Sequence, residues 1–407
     1  RLVSLTEAML LDDVRQRLFS PTKPPHPLAI GLELELIPVH RSDNARALAT
    51  KGERTSTAEV LSQLGQREGW SEQSNAGDPP SWKLSDGASI SFEPGGQIEI
   101  STAPQPTASA AIDSTQSLVA MMRDAMSNAG IDLIARGVDP YNGIGAVPLQ
   151  LNRDRYTGMT RYFDSIGSSG EQMMRQTAAL QMNVERGEDP LSRWRLLNGL
   201  APFVVATFAN SREYAGGPTQ WASYRAHLWR TLDQSRTGMI YEEAAPIERY
   251  LAFALDATAM RARADGTYRA FREWINDPET DKEYWLFHLS TLFPEVRAKE
   301  FFELRSADSI DPDALAAPVV FITGLLYDGE TARSAADLIG APTEKLLERA
   351  GRLGLTDPEI GETASGLMAL ALDGARRLGG DYLRPEHLTT AQEWFARRIA
   401  ERDSTNA

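Results

Sequence analysis

Between residues 31 and 37 the chain reads Gly-Leu-Glu-Leu-Glu-Leu-Ile. Side chains alternate faces along a strand, so Leu32, Leu34 and Leu36 share one face while Glu33 and Glu35 share the other. A helix would scatter the same residues around its axis, so the pattern predicts a strand with one face in a core. Strand rise sets the two carboxylates about 6.6 Å apart along the chain. That is wide for one divalent cation and suits two lying near each other. Taken alone, the segment reads better as the solvated face of a half-buried strand.

The pattern returns three times. In Ser91-Phe-Glu-Pro-Gly-Gly-Gln-Ile-Glu-Ile100, Ile90, Phe92, Ile98 and Ile100 are apolar partners, and Ser91, Glu93, Gln97 and Glu99 face the other way. Pro94-Gly95-Gly96 gives either a tight reversal or a bulge. From Arg175 to Glu185, Ala178, Leu180, Met182 and Val184 form an apolar face, and Arg175, Thr177, Gln181, Asn183 and Glu185 a polar one. In Phe301 to Arg305, Glu303 and Arg305 lie on one face. Ordinary solvated faces usually include lysine, and none of these four segments does. A sheet with such a face could surround a cluster of divalent ions, for which hard oxygen ligands suit Mg²⁺ or Mn²⁺.

The remaining layout is strands early and in the middle, with helices between and after. Leu5 to Leu18 reads as an amphipathic helix, ended by Pro21, Pro24, Pro25 and Pro27. The polar stretch Arg41 to Pro80 holds a helix at Ser56 to Leu64. Ser109 to Ala129 is helical, Ile131 to Val138 a short strand, and a long loop with Pro140, Gly143, Gly145 and Pro148 follows. Glu171 to Val184 carries a strand, Pro190 to Ala209 a helix and Asn210 to Pro218 a loop. Tyr284 to Ala307 mixes strand and loop, and from Pro312 to about Arg402 the spacing is helical. The predicted class is α+β, an antiparallel sheet with helices outside.

Composition narrows the chemistry. A net charge of -14 over 407 residues disfavours nucleic-acid binding. With no cysteine and five histidines, disulfides, a cysteine nucleophile and an ordinary zinc site drop out. There is no Walker A sequence, no full G-x-G-x-x-G and no G-x-S-x-G elbow. If ATP is used, metals and arginines must hold it. Residues 1–20 lack a leader-type apolar core, and no window approaches a membrane span, so a soluble cytoplasmic protein is expected.

These residues resemble the plant-type glutamate–cysteine ligase family. The likeness is carried by Gly31-Leu-Glu-Leu-Glu35, Glu93-Pro-Gly-Gly-Gln-Ile-Glu99 and Met173-Met-Arg175 through Gln181-Met-Asn183. Ser223-Tyr-Arg-Ala-His-Leu-Trp229 with Asp233 and Arg236-Thr-Gly-Met239 adds a fourth stretch, and Phe293-Pro-Glu-Val-Arg297 through Glu303 to Asp308 a fifth. All five run in the family's order. The resemblance implies a glutamine-synthetase-like core at 1–310, its sheet curved into a funnel and surrounded by helices, with a helical C-terminal region at 311–407.

The resemblance also implies that ATP and Mg²⁺ (or Mn²⁺) activate the L-glutamate γ-carboxylate as an acyl phosphate, which the amine of L-cysteine attacks. The product, γ-glutamylcysteine, feeds glutathione or ergothioneine synthesis. A related ligase with another acceptor amine is the alternative. Carried over residue by residue, Glu33, Glu35, Glu93, Glu99 and Glu303 would bind metal, with Gln181 beside them. Arg175 and Arg225 would contact glutamate, and Arg305 the γ-phosphoryl group. Asn183, His227, Trp229 and Arg236 would line the site. No nucleic-acid or membrane partner is implied, and a monomer or homodimer is expected. Asp308 reads as a cap for the following helix. The segment Asn210 to Gly217 departs from the family's loop, and thiol-based regulation requires cysteines this chain lacks.

Overall fold

The strict alternation around Glu33 becomes the central strand of the molecule. The computed structural model describes residues 5–50, 52–75, 77–278 and 280–406; the first four residues of the segment read for a leader lie outside them. In chain order the strands are β1 (Ile30–His40), β2 (Ser71–Asn75), β3 (Asp78–Lys83), β4 (Ser89–Phe92), β5 (Ile98–Ser101), β6 (Ile131–Ile134) and β7 (Ala179–Val184), then β8 (Glu213–Tyr214), β9 (Gly217–Pro218), β10 (Thr237–Gly238), β11 (Phe293–Pro294), β12 (Val296–Ala298) and β13 (Phe302–Asp308). The main sheet runs β12-β13-β7-β1-β5-β4-β3-β2, with β6 also on β1, and its pairings are antiparallel.

Leu32, Leu34 and Leu36 are fully buried, as the alternation predicts. Their face is covered by α3 (Ala108–Asn128), α6 (Pro190–Thr207) and α10 (Ala316–Tyr327), and one hydrophobic core joins all of these elements. Two of these helices begin where the sequence supplies a cap. Thr107 accepts from Ala110 N ahead of α3, and Asp189 accepts from Ser192 N ahead of α6, where Pro190 takes the first turn. Every residue of α10 is buried, so it can only be an interior helix. It crosses α13 (Pro358–Leu378) at Gly324 and Gly374; a Cβ on either would lie 2.1 Å from a backbone oxygen of the other helix.

Four stretches differ from the expectation. The loop after residue 140 contains α4 (Asp154–Asp164), and Glu171 to Gln176 is not strand but part of α5 (Ser169–Gln176). Arg175 therefore sits on a helix, and only from Ala179 does the strand alternation apply. The apolar run Tyr-Trp-Leu-Phe at 284–287 belongs to α9 (Lys282–Ser290), capped by Asp281; a short apolar run fits strand and helix equally by period. Strands β2 and β3 arise in the polar stretch, where Trp82 is the deeply buried residue and no apolar alternation marks them. Among the described residues no helix is long and apolar enough to cross a membrane.

Candidate active site

Register decides which polar side chains meet. Glu35 pairs with Glu99 across β1 and β5, Glu33 with Gln181 across β1 and β7, and Glu303 with Asn183 across β13 and β7. The four patterned segments thus share one sheet face. Glu93 lies just past β4, in a tight reversal closed by Gly96 N donating to Glu93 O at 2.8 Å. Gly95 is required there by close approach, since a Cβ would meet the Arg175 carbonyl oxygen at 2.0 Å, and Gly96 has φ +79°. Buried Arg46 and Gln150 both donate to Gly95 O, at 2.9 and 2.7 Å, and Gln97 donates to Thr177 O at 2.7 Å. Arg46 is itself held by Asp139 through a fully buried ion pair of 2.6 Å.

These elements enclose a cavity of about 140 Å³. Its acid wall is Glu33, Glu35, Glu93 and Glu99. Asn183 donates to Glu33 at 2.7 Å; Ala179 N and Gln181 donate to Glu35 at 2.8 and 3.1 Å; Ser91 and Ser101 donate to Glu99 at 3.3 and 3.4 Å. No ion pair among the described residues joins any of the four to a lysine or arginine. Burial, then the charge of Glu99, lifts Glu35 to about 7; burial, then Glu35, lifts Glu93 to about 7; burial, then Glu93 and Glu33, lifts Glu99 to about 8.

The other charged wall is basic: Arg155, Arg225, Arg297 and Arg305. Its anchor is Glu303, fully buried, which accepts from Arg297 and Arg305 at 2.7 and 2.6 Å and from Lys299. Burial alone would raise the Glu303 carboxyl; the three cations overcome that and hold it far below the ordinary range. Gln181 bridges the walls, accepting from Arg305 at 2.6 Å and donating to Glu35. Arg225 rides on α7 (Tyr224–Leu232), and its guanidinium donates to Arg305 O at 2.7 Å. Asp308 does not cap the next helix, whose cap is Asp311. It instead accepts from Asn210 N, Ser211 and Ser223 at 2.7, 2.7 and 2.8 Å, and so holds the start of α7 and Arg225 in place.

The candidates divide accordingly. Glu33, Glu35, Glu93, Glu99, Gln181, Arg225, Trp229 and Arg305 line the cavity, and Asn183 and Glu303 bond to residues that do. Arg175, His227 and Arg236 are not among the lining residues. Arg175 pairs with Glu171 at 2.8 Å along α5. His227 stacks on Trp221, ring centroids 4.4 Å apart. Arg236 is fully buried, bonded to Asp233 at 2.6 Å, Thr291 O at 3.0 Å and Thr258 O. Sequence reasoning missed Arg297, which the pairing of β12 with β13 sets opposite Glu303, on the face away from buried Val296 and Ala298. Arg155, Tyr156 and Met159 carry no such signal, because α4 follows a glycine- and proline-rich stretch with the composition of a loop.

The donor set fits divalent cations. The acid wall offers hard carboxylate and amide oxygens, and its buried carboxylates bond to hydroxyl, amide and backbone donors rather than to lysine or arginine. Among the described residues no three acidic or imidazole groups already converge as a finished metal centre, and Glu303 currently bonds cations of the chain itself.

One antiparallel sheet thus brings acidic and arginine side chains to a single cavity. The same fold is found in the glutamate–cysteine ligase of Francisella tularensis, solved in complex with AMP (TM-score 0.52, 11% identity, covering 93% of this chain and 83% of that one). The family model for glutamate-cysteine ligase family 2 matches residues 29–386. The chain is 30% identical over 405 residues to the chloroplastic glutamate–cysteine ligase A of Oryza sativa subsp. japonica, covering 93% of this chain and 80% of the relative. It is 32% identical over 316 residues to the glutamate–cysteine ligase EgtA of Mycobacterium tuberculosis, covering 72% and 71%. The chain belongs to glutamate-cysteine ligase family 2.

Proposed function

We propose that this enzyme uses ATP to join the γ-carboxylate of L-glutamate to the amine of L-cysteine, giving γ-glutamylcysteine, ADP and phosphate. The observation that carries the reading is the pocket of two signs. Glu33, Glu35, Glu93 and Glu99, with Gln181, would hold Mg²⁺ or Mn²⁺, and Glu303 would join them once released from its arginines. The cations, when bound, supply charge neutralisation and alignment for the nucleotide phosphates. Arg305 and Arg297 face the phosphoryl group in transfer, and Arg225 takes a carboxylate of glutamate in paired hydrogen bonds. The γ-carboxylate oxygen takes the γ-phosphoryl group and ADP leaves. The amine nitrogen then bonds to the acyl carbon as phosphate departs and the amine loses its proton. Positioning and charge carry the reaction, so no nucleophile of the enzyme is needed.

Arg175, His227 and Arg236 would act as supports from outside the lining, Arg175 through its carbonyl against the Pro94-Gly95-Gly96 turn. The same dipeptide serves glutathione or ergothioneine synthesis, so the proposal concerns the reaction. The test is ADP release with ATP, Mg²⁺ and L-glutamate across a panel of amines. Strong stimulation by L-cysteine with γ-glutamylcysteine in the mass spectrum is expected. Stimulation by another amine alone overturns the acceptor, and no stimulation by any amine overturns the ligase reading.

A further inference from the structure

The reversal at Glu93-Pro94-Gly95-Gly96 is held from outside the cavity. Glu93 N donates to Gln97 O and Gly96 N to Glu93 O, both at 2.8 Å, so the direction of the Glu93 side chain follows the turn. The turn hangs on one atom, the Gly95 carbonyl oxygen. Its two lone pairs are taken by Arg46 Nη1 at 2.9 Å and Gln150 Nε2 at 2.7 Å. Arg46 reaches it from the return of the chain after β1, where His40 N donates to Ala45 O and Ala47 N to Pro38 O. The rest of its guanidinium is engaged by Asp139, to which Nε and Nη2 donate at 3.0 and 2.6 Å. Asp139 in turn accepts from Tyr141 N and Asn142 N, each at 2.9 Å. Both side chains of the pair are fully buried, and neither residue is among those lining the cavity.

We infer that Arg46, held by Asp139, is a positioning residue that sets the affinity of the acid wall for divalent cations by fixing Glu93. The inference rests on the metal role proposed above for that wall. A neutral amide, Gln150, already serves the Gly95 carbonyl, so satisfying the backbone does not call for a cation. A buried ion pair is also a weak source of stability, because desolvation offsets the attraction. What a guanidinium adds is geometry: a planar fork that spans an acid and a carbonyl at once, at fixed angles. Through it the turn carrying Glu93 is registered against β1, which carries Glu33 and Glu35 and is bridged to Arg46 at Val39. The same Nη1 lies 3.3 Å from Arg175 O, at the end of α5, so three elements meet on one side chain. Removing a group that orients a metal ligand in this way lowers metal affinity by about 10–100-fold.

The experiment titrates the free enzyme with Mn²⁺ alone and reads binding from the loss of the free-ion electron paramagnetic resonance signal. The denaturant midpoint and the glutamate KM at saturating Mg²⁺ are measured alongside. The test variant joins Arg46→Met to Asp139→Asn: methionine leaves no charge buried, and asparagine keeps an oxygen for the Tyr141 and Asn142 amides. It is expected to raise the Mn²⁺ Kd at least tenfold, with the glutamate KM within twofold. Added to Glu93→Gln, the same two changes are expected to raise the Kd less than twofold further, because the ligand they position is gone. Arg46→Lys keeps the charge opposite Asp139 but replaces the fork by one nitrogen. It is expected to keep the midpoint yet raise the Kd at least threefold, and it decides the matter if the double variant does not fold. A wild-type Kd in the folded variants overturns the inference. An equal loss with and without Glu93 overturns it too, since Arg46 would then act on the fold at large. If Mn²⁺ binding depends on Arg46 and Glu93 as expected while no amine stimulates ADP release, the inference stands and the ligase reading fails. If the wild type binds no Mn²⁺, the metal role and the inference fail together.

Discussion

The two charged walls bury carboxylates in opposite ways. Glu303 is satisfied within the chain by Arg297, Arg305 and Lys299. Glu35, Glu93 and Glu99 crowd one another with no cation bonded to them, and burial lifts each to about 7 or 8. The arginine wall is therefore built by folding, whereas the acid wall is held in readiness at a cost in stability. Burying charge without a partner opposes folding, and such groups persist where a ligand supplies the missing charge. The same substitution on the two walls should consequently act with opposite sign on the fold.

The largest effect belongs to Glu303→Gln. Removing the anion leaves two arginines and a lysine buried or half-buried around a neutral amide. Breaking a buried pair in this way costs about 3–5 kcal/mol. The denaturant midpoint should fall accordingly without change in m, and turnover should fall as well because Arg297 and Arg305 lose their anchor. A midpoint like that of the wild type would mean that folding does not build the arginine wall around Glu303.

Glu99→Gln sharpens the contrast. Without divalent cation its midpoint should equal or exceed the wild type, since a buried carboxylate is replaced by an amide of the same shape. Its ADP release with Mg²⁺ should nevertheless drop by about 10²–10³-fold, the usual loss for one electrostatic group at a reacting centre. A large loss of stability in metal-free buffer would break the comparison, and near-normal turnover would remove Glu99 from the chemistry.

How far each wall could be read from sequence follows from the element that carries it. Glu33, Glu35, Glu99 and Gln181 were legible because strands have a period of two, and register then brings them to one face. Glu93 was placed on that face for a different reason than the structure gives, since it stands in the reversal after β4 and is held there by the packing of Gly95 under Arg175. Arg225 sits on one turn of a helix, where a single arginine carries no periodic signal, and only the family likeness pointed to it. That likeness places a residue in a pattern but does not say which way its side chain turns. Arg236 shows the difference: it satisfies two backbone carbonyls and Asp233 in the core instead of facing the cavity. The lining supplied by α4 and α5 was hidden because both helices are short, lie between glycine- and proline-rich stretches, and meet only through tertiary packing.

The contrast between partnered and unpartnered burial extends beyond the pocket, where His288 provides its smallest test. Its ring is buried, stacks on Phe271 at 4.3 Å and bonds Ala254 O through Nε2 at 2.7 Å. Among the described residues no carboxylate bonds to it, and the charged group that acts on it is Arg236, which also disfavours the imidazolium. Burial lowers it from 6.5 to about 3, against the Ala254 carbonyl, which favours the imidazolium, and with Arg236, which opposes it. The folded state thus keeps His288 neutral where the unfolded chain takes up a proton. Its contribution is full above pH 6.5 and is lost as pH falls from 6.5 toward 3, at about 1.4 kcal/mol per pH unit. By pH 5 that is about 2 kcal/mol. His288→Phe keeps the stacking partner and removes the titration, so its stability should fall less steeply than the wild type's over this range, by close to one proton's worth of slope. Parallel slopes for the two proteins would show that His288 finds a counter-charge in the fold, and that burial beside a single carbonyl does not hold the ring neutral here.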